Sequence, residues 1–214
     1  MRRLALAFLT LLCTPLLMGG GIPAPSRQLD LSDADGAELD AISAYLNGII
    51  TLKGGFIQIE PSGNVDQGSF YISKPGKMRF AYNPPSPTLI VADGHTVAVA
   101  NTRLNTVDRY PLSETPLGLV VGNDIDLRHD RALLSVQHQS GSLVLGIRTD
   151  NRMSRANIFL VFSEPQYELR QWSVIDNQGL TTTVALRDVT AGEALSPSLF
   201  VLPDKNPFAR HGQD

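Results

Sequence analysis

The chain has 214 residues, of which 18% are charged, and its formal net charge is -3 at pH 7. This balance provides no basic field for DNA or RNA, which excludes nucleic acid as a partner. Cys13 is the only cysteine and lies in an apolar N-terminal stretch, so the remaining chain has neither a disulfide nor a thiol nucleophile.

The N-terminus has the order of a secretory signal peptide. Two arginines precede an apolar run at residues 4–18, and small residues follow it at 19–21. The run is shorter than the about 20 residues that a membrane-spanning helix needs. We therefore assign residues 1–24 to a signal peptide, with cleavage between 21 and 26, and expect a soluble protein of the periplasm.

Two details of this segment suggest other leaders. Arg2 and Arg3 are compatible with twin-arginine export, and Cys13 with a lipid anchor. Cys13 follows Leu12, however, where a lipoprotein signal carries a small residue, and an anchor there would leave too short an apolar core. A lipid anchor is therefore disfavoured.

The remaining chain is predicted to form one domain. About 190 residues are enough for one hydrophobic core and too few for two. We assign this domain to residues 27–203 and a polar, proline-spaced tail to residues 204–214.

A helix is predicted at the start of the domain. Ser32 with Asp35 fits a helix-opening capping pattern, and Gly54 and Gly55 end the helical spacing. Apolar residues recur at intervals of three and four, as expected for a helix that packs on a sheet. The stripe consists of Leu39, Ile42, Leu46, Ile49 and Ile50.

After Gly55 the apolar period changes to two, and short runs alternate with turn-forming Gly, Pro, Asn and Asp. Residues 115–121 interrupt this rhythm and predict a short apolar helix with Pro116 at its first position. No helical crossover separates the strands, so we predict a large antiparallel sheet that curls, with helices against one face. The predicted strands are 56–60, 68–73, 77–82, 88–92, 96–101, 106–110, 133–139, 142–149, 157–163, 168–176 and 180–187.

No constellation of catalytic or metal-binding residues stands out. The chain has no nucleophile elbow, phosphate loop or dinucleotide motif. Asp124, Asp126 and Asp130 share one loop, but their spacing fits no calcium loop and is typical of a solvated turn. The sequence therefore predicts no enzyme, no metal site and no cofactor. Four histidines are scattered without metal-ligand spacing, namely His95, His129, His138 and His211.

An apolar pattern follows the first predicted strands. Phe70 and Ile72 point to one side of their strand, and Met78, Phe80 and Tyr82 share one face of the next. This pattern fits either an ordinary sheet core or a cavity that accepts a ligand, and periodicity does not choose between them.

Residues 68–82, followed by Pro84 and Pro85 and by the apolar strand 89–94, resemble the most recognisable stretch of LolA-like lipoprotein carriers. That family has a strand, a basic residue with proline, an aromatic-bearing strand, proline and an apolar strand that ends in Asp-Gly, in this order. Every one of these parts is present.

Flanking segments extend the resemblance to residues 40–203. The helix leads into residues 54–58, which resemble the family's Phe-x-Gln start of the sheet, and residues 114–117 open the mid-chain helix. The strand at 167–172 and its turn also fit.

The resemblance implies a mainly β fold with α elements: an incomplete, half-open antiparallel β-barrel of about eleven strands, capped by helices that enclose a hydrophobic cavity. It also implies a non-enzymatic periplasmic chaperone without a cofactor. Such a carrier accepts triacylated lipoproteins from an inner-membrane ABC transporter and delivers them to an outer-membrane receptor. We expect a monomer.

The resemblance and the apolar pattern together define the expected site. Lys74 occupies the position of the family's arginine that ties the sheet to the lid helix, and lysine cannot make the same planar forked contacts. Met78 and Phe80 occupy two positions that are aromatic in the family. Expected lid residues are Leu39, Ile42, Leu46, Leu117 and Val120. Expected cavity residues are Phe56, Phe70, Ile72, Met78, Phe80, Tyr82, Leu89 and Val91.

Two alternatives stay open at this point. A module of the same fold could bind another lipid or sense lipids, because fold does not fix the ligand. A periplasmic hydrolase would need a serine brought to His95 or His138 from a distant segment. The outer-membrane receptor of the pathway is disfavoured, because it is anchored through a cysteine.

Overall fold

The computed structural model describes residue 29 and residues 31–115, 118–150 and 155–203. The signal peptide predicted at 1–24, the tail predicted at 204–214 and Leu117 lie outside the described residues. Within the described ranges, no helix is both long enough and apolar enough to cross a membrane.

The described chain is mainly β. Helix α1 (Asp33–Gly48) precedes the strands, and a second helix, α2 (Gly118–Val121), lies between the sixth and seventh strands. Two short 3-10 helices occupy Leu112–Glu114 and Pro197–Phe200. The strands are β1 (Thr51–Ile59), β2 (Val65–Ser73), β3 (Lys77–Tyr82), β4 (Thr88–Asp93), β5 (Thr96–Asn101), β6 (Thr106–Pro111), β7 (Leu133–Gln139), β8 (Ser142–Asp150), β9 (Arg155–Ser163), β10 (Leu169–Ile175) and β11 (Thr181–Ala191).

All of these strands belong to one antiparallel sheet in the order β6-β5-β4-β3-β2-β1-β11-β10-β9-β8-β7. Successive strands pair with each other except β6 and β7, and the pairing of β1 with β11 joins the two meanders. The edge strands β6 and β7 do not meet, so the sheet is not closed. The predicted incomplete antiparallel barrel of about eleven strands is confirmed.

The first strand differs from its prediction. β1 begins at Thr51 rather than at Phe56, so the prediction that Gly54 and Gly55 end the helical pattern is wrong. Both glycines lie in the strand, and at Gly54 neighbouring backbone and ring atoms leave no room for a side chain. A Cβ on Gly54 would stand 2.7 Å from the Arg187 carbonyl oxygen and 2.9 Å from an aromatic ring of β2. Glycine in a strand often marks such a close approach of backbones.

The first helix opens as predicted. The Asp35 amide donates to the Ser32 hydroxyl and the Ser32 amide donates to the Asp35 carboxylate, each at 3.1 Å, which completes a capping box. The helix ends at Gly48, and the Ile50 side chain is 73% exposed, so its predicted place in the apolar stripe is wrong. Fully buried along the stripe are Leu39, Ile42 and Leu46.

The mid-chain segment forms two short helices where one was predicted at 115–121. The 3-10 helix Leu112–Glu114 comes first and α2 follows at Gly118–Val121. The Gly76 amide donates to the Val121 carbonyl at 2.8 Å, which attaches α2 to the turn between β2 and β3. Pro116 lies outside the described residues.

The two faces of the sheet have different covers. Helix α1 packs on one of them, which we call the helix-covered face, and most of the buried residues lie there. The C-terminal segment packs on the other, the outer face, where the Arg79 guanidinium donates to the Leu199 carbonyl at 3.2 Å. A small apolar cluster on the outer face consists of Leu89, Ala98, Ala100, Val107 and Leu202.

We expect Gly68→Ala to destabilise the sheet by about 1–3 kcal/mol, because an added methyl group has no room there. A Cβ on Gly68 would stand 2.1 Å from the Ala81 carbonyl oxygen on the paired strand β3. Urea unfolding measures the change. The control is Gly48→Ala at the end of α1, where a Cβ meets nothing within 4 Å. Equal stability of the Gly68 variant and the control would contradict this account of the β2–β3 contact.

Candidate functional site

The helix-covered face carries a cluster of aromatic rings, which we call the aromatic cluster. The Phe56 ring lies 5.2 Å from Phe80 and 4.9 Å from Tyr82, both edge to face. Phe80 also stacks on Phe70 at 5.9 Å and meets Trp172 edge to face at 6.0 Å. Rings at these separations attract each other beyond the area that they bury. The cluster therefore gives this face a firm apolar floor across β1, β2, β3 and β10.

A polar contact lies at one edge of the aromatic cluster. The Tyr82 hydroxyl donates to the Gln58 side-chain oxygen at 2.7 Å, and burial raises the pKa of Tyr82 to about 12. This contact satisfies a half-buried phenol without adding a charge. It also gives a structural reason for the glutamine of the Phe-x-Gln segment.

Six predicted cavity residues come together on the helix-covered face. Tyr82 is half-buried there, and the others are at most 5% exposed: Phe56, Phe70, Ile72, Met78 and Phe80. In this structure their side chains form a filled core under α1. Whether they also contact a lipid stays a prediction.

Leu89 and Val91 do not join these residues. Phe80 pairs with Ile90 and Arg79 pairs with Val91, and paired residues of an antiparallel sheet point to the same side. Leu89 and Val91 therefore share the outer face with Arg79, and Leu89 packs in the outer cluster. Their expected place in the cavity disagrees with this register.

The predicted lid residues lie above the aromatic cluster. Leu39, Ile42 and Leu46 of α1 have no exposed surface, and Val120 of α2 is 8% exposed. All four belong to the same core as the aromatic cluster. Leu117, also predicted for the lid, lies outside the described residues.

Lys74, the predicted latch residue, contacts helix α1. Its ammonium donates to the Leu46 carbonyl of α1 at 2.7 Å. Burial lowers the pKa of the Lys74 ammonium below its usual value. The same carbonyl also accepts the Ile49 amide at 3.3 Å, so the Lys74 ammonium is the second and closer of its two donors.

Two polar side chains on α1, which sequence reasoning missed, fix the helix to the loop after α2. Asn47 donates to the Ile125 carbonyl at 2.8 Å and accepts from the Ile125 amide at 2.9 Å. The buried Ser43 hydroxyl accepts from the Leu127 amide at 3.0 Å. Ser43 and Asn47 are four residues apart on a helix, and that spacing beside an apolar stripe was the available signal.

An open groove lies at the C-terminal end of α1. It has a volume of about 600 Å³, and it runs between the end of the helix and the strands β1, β10 and β11. Its lining includes Tyr45, Ile49, Ile50, Leu52, Leu169 and Val189. The groove therefore reaches the core at the place where the helical cover stops.

The rings of His129 and His138 face carboxylates. His129 Nδ1 lies 2.9 Å from Asp126 and His138 Nε2 lies 3.2 Å from Asp35. The backbone amide of His95 donates to Asp93 at 2.9 Å. These contacts give the hydrolase alternative no activated serine among the described residues.

The family model for outer membrane lipoprotein carrier protein LolA matches residues 47–203, which is more than half of the chain. The chain belongs to the LolA family. The outer-membrane lipoprotein carrier protein of Cupriavidus pinatubonensis is 30% identical over 103 residues, which are 42% of this chain and 49% of that protein. The corresponding protein of Methylococcus capsulatus is 25% identical over 203 residues, which are 91% of this chain and 92% of that protein.

The chain spans about half the length of several curated relatives that it matches. A solved structure of a Vibrio parahaemolyticus domain, named for outer membrane lipoprotein sorting, has a TM-score of 0.47 and 10% sequence identity to this LolA-family chain. The similarity covers 79% of this chain and 97% of that domain.

We expect Lys74→Met to loosen the end of α1, because the Leu46 carbonyl loses the closer of its two donors and keeps only the Ile49 amide, while the aliphatic volume stays. One hydrogen bond of this kind is worth about 1 kcal/mol, so amide exchange in the last turn of α1 should speed up roughly fivefold. Lys77→Met, at an exposed lysine of β3, is the matched control. Unchanged exchange in the Lys74 variant would show that Lys74 does not secure the helix.

Proposed function

We propose that this LolA-family protein carries the acyl chains of lipoproteins on its helix-covered face, without catalysing a reaction. The observation that supports this most is the filled apolar floor of Phe56, Phe70, Phe80 and Trp172 beneath a separate helical cover. Such a face can exchange one apolar cover for another. The carrier names of its relatives agree with this role.

The free energy of burying the apolar side chains of α1 on the aromatic cluster is of comparable size to that of burying an acyl chain there. Exposing the three buried side chains Leu39, Ile42 and Leu46 of α1 costs about 5–9 kcal/mol. One acyl chain of about 15 methylenes, buried in their place, contributes about 12 kcal/mol. A single chain therefore offsets the lost apolar contacts of the helix, and a triacylated lipoprotein has a surplus.

The groove at the end of α1 is the proposed entrance. It is already open, and Ile49, Leu52 and Leu169 carry its apolar lining toward the core. Ile50 stands beside it with 73% of its side chain exposed. A chain entering here would lift the C-terminal turn of α1 first, against the Lys74 contact.

The wider pathway forms part of the proposal. The carrier would act in the periplasm after removal of the leader at 1–24, as a monomer. It would receive triacylated lipoproteins from an inner-membrane ABC transporter and pass them to an outer-membrane receptor. An apolar site with a cover that opens at modest cost suits both transfers, because it holds the lipid in a dry cavity and can release it to a partner.

We expect the purified, tag-free protein to release newly made outer-membrane lipoproteins from spheroplasts as a soluble one-to-one complex. Ile50→Glu should reduce release by roughly tenfold, because a carboxylate at the entrance opposes an apolar chain and its burial costs more than 1 kcal/mol. Ile50 is exposed, so the fold should tolerate the change.

Val65→Glu is the matched control, because Val65 is 64% exposed and lies at the far end of the β1–β2 pair. Normal release by the Ile50 variant would overturn the proposed entrance. No release by the unaltered protein, with a different lipid found bound to it, would overturn the lipoprotein cargo and favour a lipid-binding module of the same fold.

A further inference from the structure

A group of metal-ligand atoms lies at the end of α1 remote from the groove. Asp35 and Glu38 stand one turn apart on α1, and His138 projects toward them from the edge strand β7. His138 Nε2 is 3.2 Å from Asp35 Oδ1 and 3.5 Å from Glu38 Oε2. One donor atom from each of the three residues fits within 4.8 Å of the others. Two separate elements of the fold therefore bring nitrogen and oxygen donors to one point.

These separations match the spacing of ligands around zinc. In a tetrahedral site with bonds of about 2.0–2.2 Å, neighbouring ligand atoms stand about 3.3–3.6 Å apart. The two nitrogen-to-oxygen distances lie within about 0.1 Å of this range. Imidazole with carboxylates is a donor set that zinc accepts, and a water molecule can take a fourth position because His138 is 51% exposed.

The groups behind these donors hold them in place. His138 Nδ1 lies 3.6 Å from Glu164, the arrangement in which a carboxylate orients a metal-binding imidazole. Asp35 Oδ2 accepts from the Ser32 hydroxyl at 2.7 Å, which leaves Oδ1 to face His138. Tyr167 donates to Glu38 Oε1 at 3.3 Å.

Glu38 supplies a second observation, a carboxylate oxygen that no hydrogen bond satisfies. Its Oε2 atom is buried and accepts no hydrogen bond, although its other oxygen is bonded to Tyr167. A buried carboxylate oxygen without a hydrogen bond costs free energy that a cation would recover. This atom faces His138 Nε2 at 3.5 Å, as an ion pair without a hydrogen bond.

We propose that Asp35, Glu38 and His138 bind a divalent cation of the zinc class, which joins α1 to the edge strand β7. The negative charge of Asp35, Glu38 and Glu164 outweighs the partial positive charge of about half a unit at the start of the helix. The bound ion would secure the N-terminal part of α1, opposite the end that Lys74 holds. This site is separate from the proposed lipid-binding face and does not depend on it.

Zinc titration of the purified, tag-free full chain tests the site, with calorimetry for stoichiometry and thermal unfolding for stabilisation. The expected result is one zinc ion per chain and a higher Tm. Zinc competes with a proton for His138, whose pKa is raised by its hydrogen bond to Asp35, so the titration is run near about pH 8.

His138→Ala should weaken zinc binding by more than tenfold, and Glu164→Gln by about tenfold through the orientation of the ring. His129→Ala is the control, because His129 also faces a carboxylate, at 2.9 Å from Asp126, but lacks the second one. Its affinity should equal that of the unaltered chain. Absence of binding, or equal binding by the His138 variant, would overturn the site and leave only an ion pair between histidine and carboxylates.

Discussion

The contact between the apolar stripe of α1 and the aromatic side of an unclosed sheet is the interaction on which the rest of the structure depends. A sheet of this kind cannot bury both of its faces by itself, and its edge strands β6 and β7 do not meet to form an interior. The C-terminal segment covers part of the outer face, and α1 covers the face that carries Phe56 and Phe80. Without that cover a large apolar patch would meet water, so a helix or a ligand has to occupy it.

Apolar contacts stabilise α1 on the sheet, and polar contacts fix its position there. Ser43, Asn47 and Lys74 each make hydrogen bonds that hold α1 in one register on the sheet. Each bond contributes about 1 kcal/mol, which is enough to select one arrangement of α1 on the sheet. The bonds are few, so they can be broken together when a ligand with more apolar surface binds. A cover that is specific and still removable is what the proposed carrier role requires.

Sequence patterns predicted the sheet well because its turns and its period of two are local. Every strand after β1 was found, although β2 begins three residues earlier and β11 ends four residues later than predicted. The capping box of Ser32 and Asp35 placed the start of α1. The failures have physical causes. Gly54 serves a tight approach that the pairing with β11 and the Phe70 ring of β2 create together. The run from Leu89 to Ala92 is apolar on both faces, so its orientation depends on pairing with Phe80. The cluster around His138 joins residues about 100 positions apart, beyond the reach of any local motif.

Trp172 allows the most direct test of whether acyl chains bind on the face beneath α1. It is the only tryptophan of the chain and lies in the aromatic cluster, at 6.0 Å from Phe80. A triacylated lipopeptide with brominated acyl chains quenches tryptophan fluorescence only when the chains touch or nearly touch the ring. Binding of the acyl chains beneath α1 predicts strong quenching by the brominated lipopeptide and none by the same lipopeptide without bromine. Tight binding of the brominated lipopeptide with unchanged Trp172 fluorescence would contradict it, because the acyl chains would then lie away from the face beneath α1.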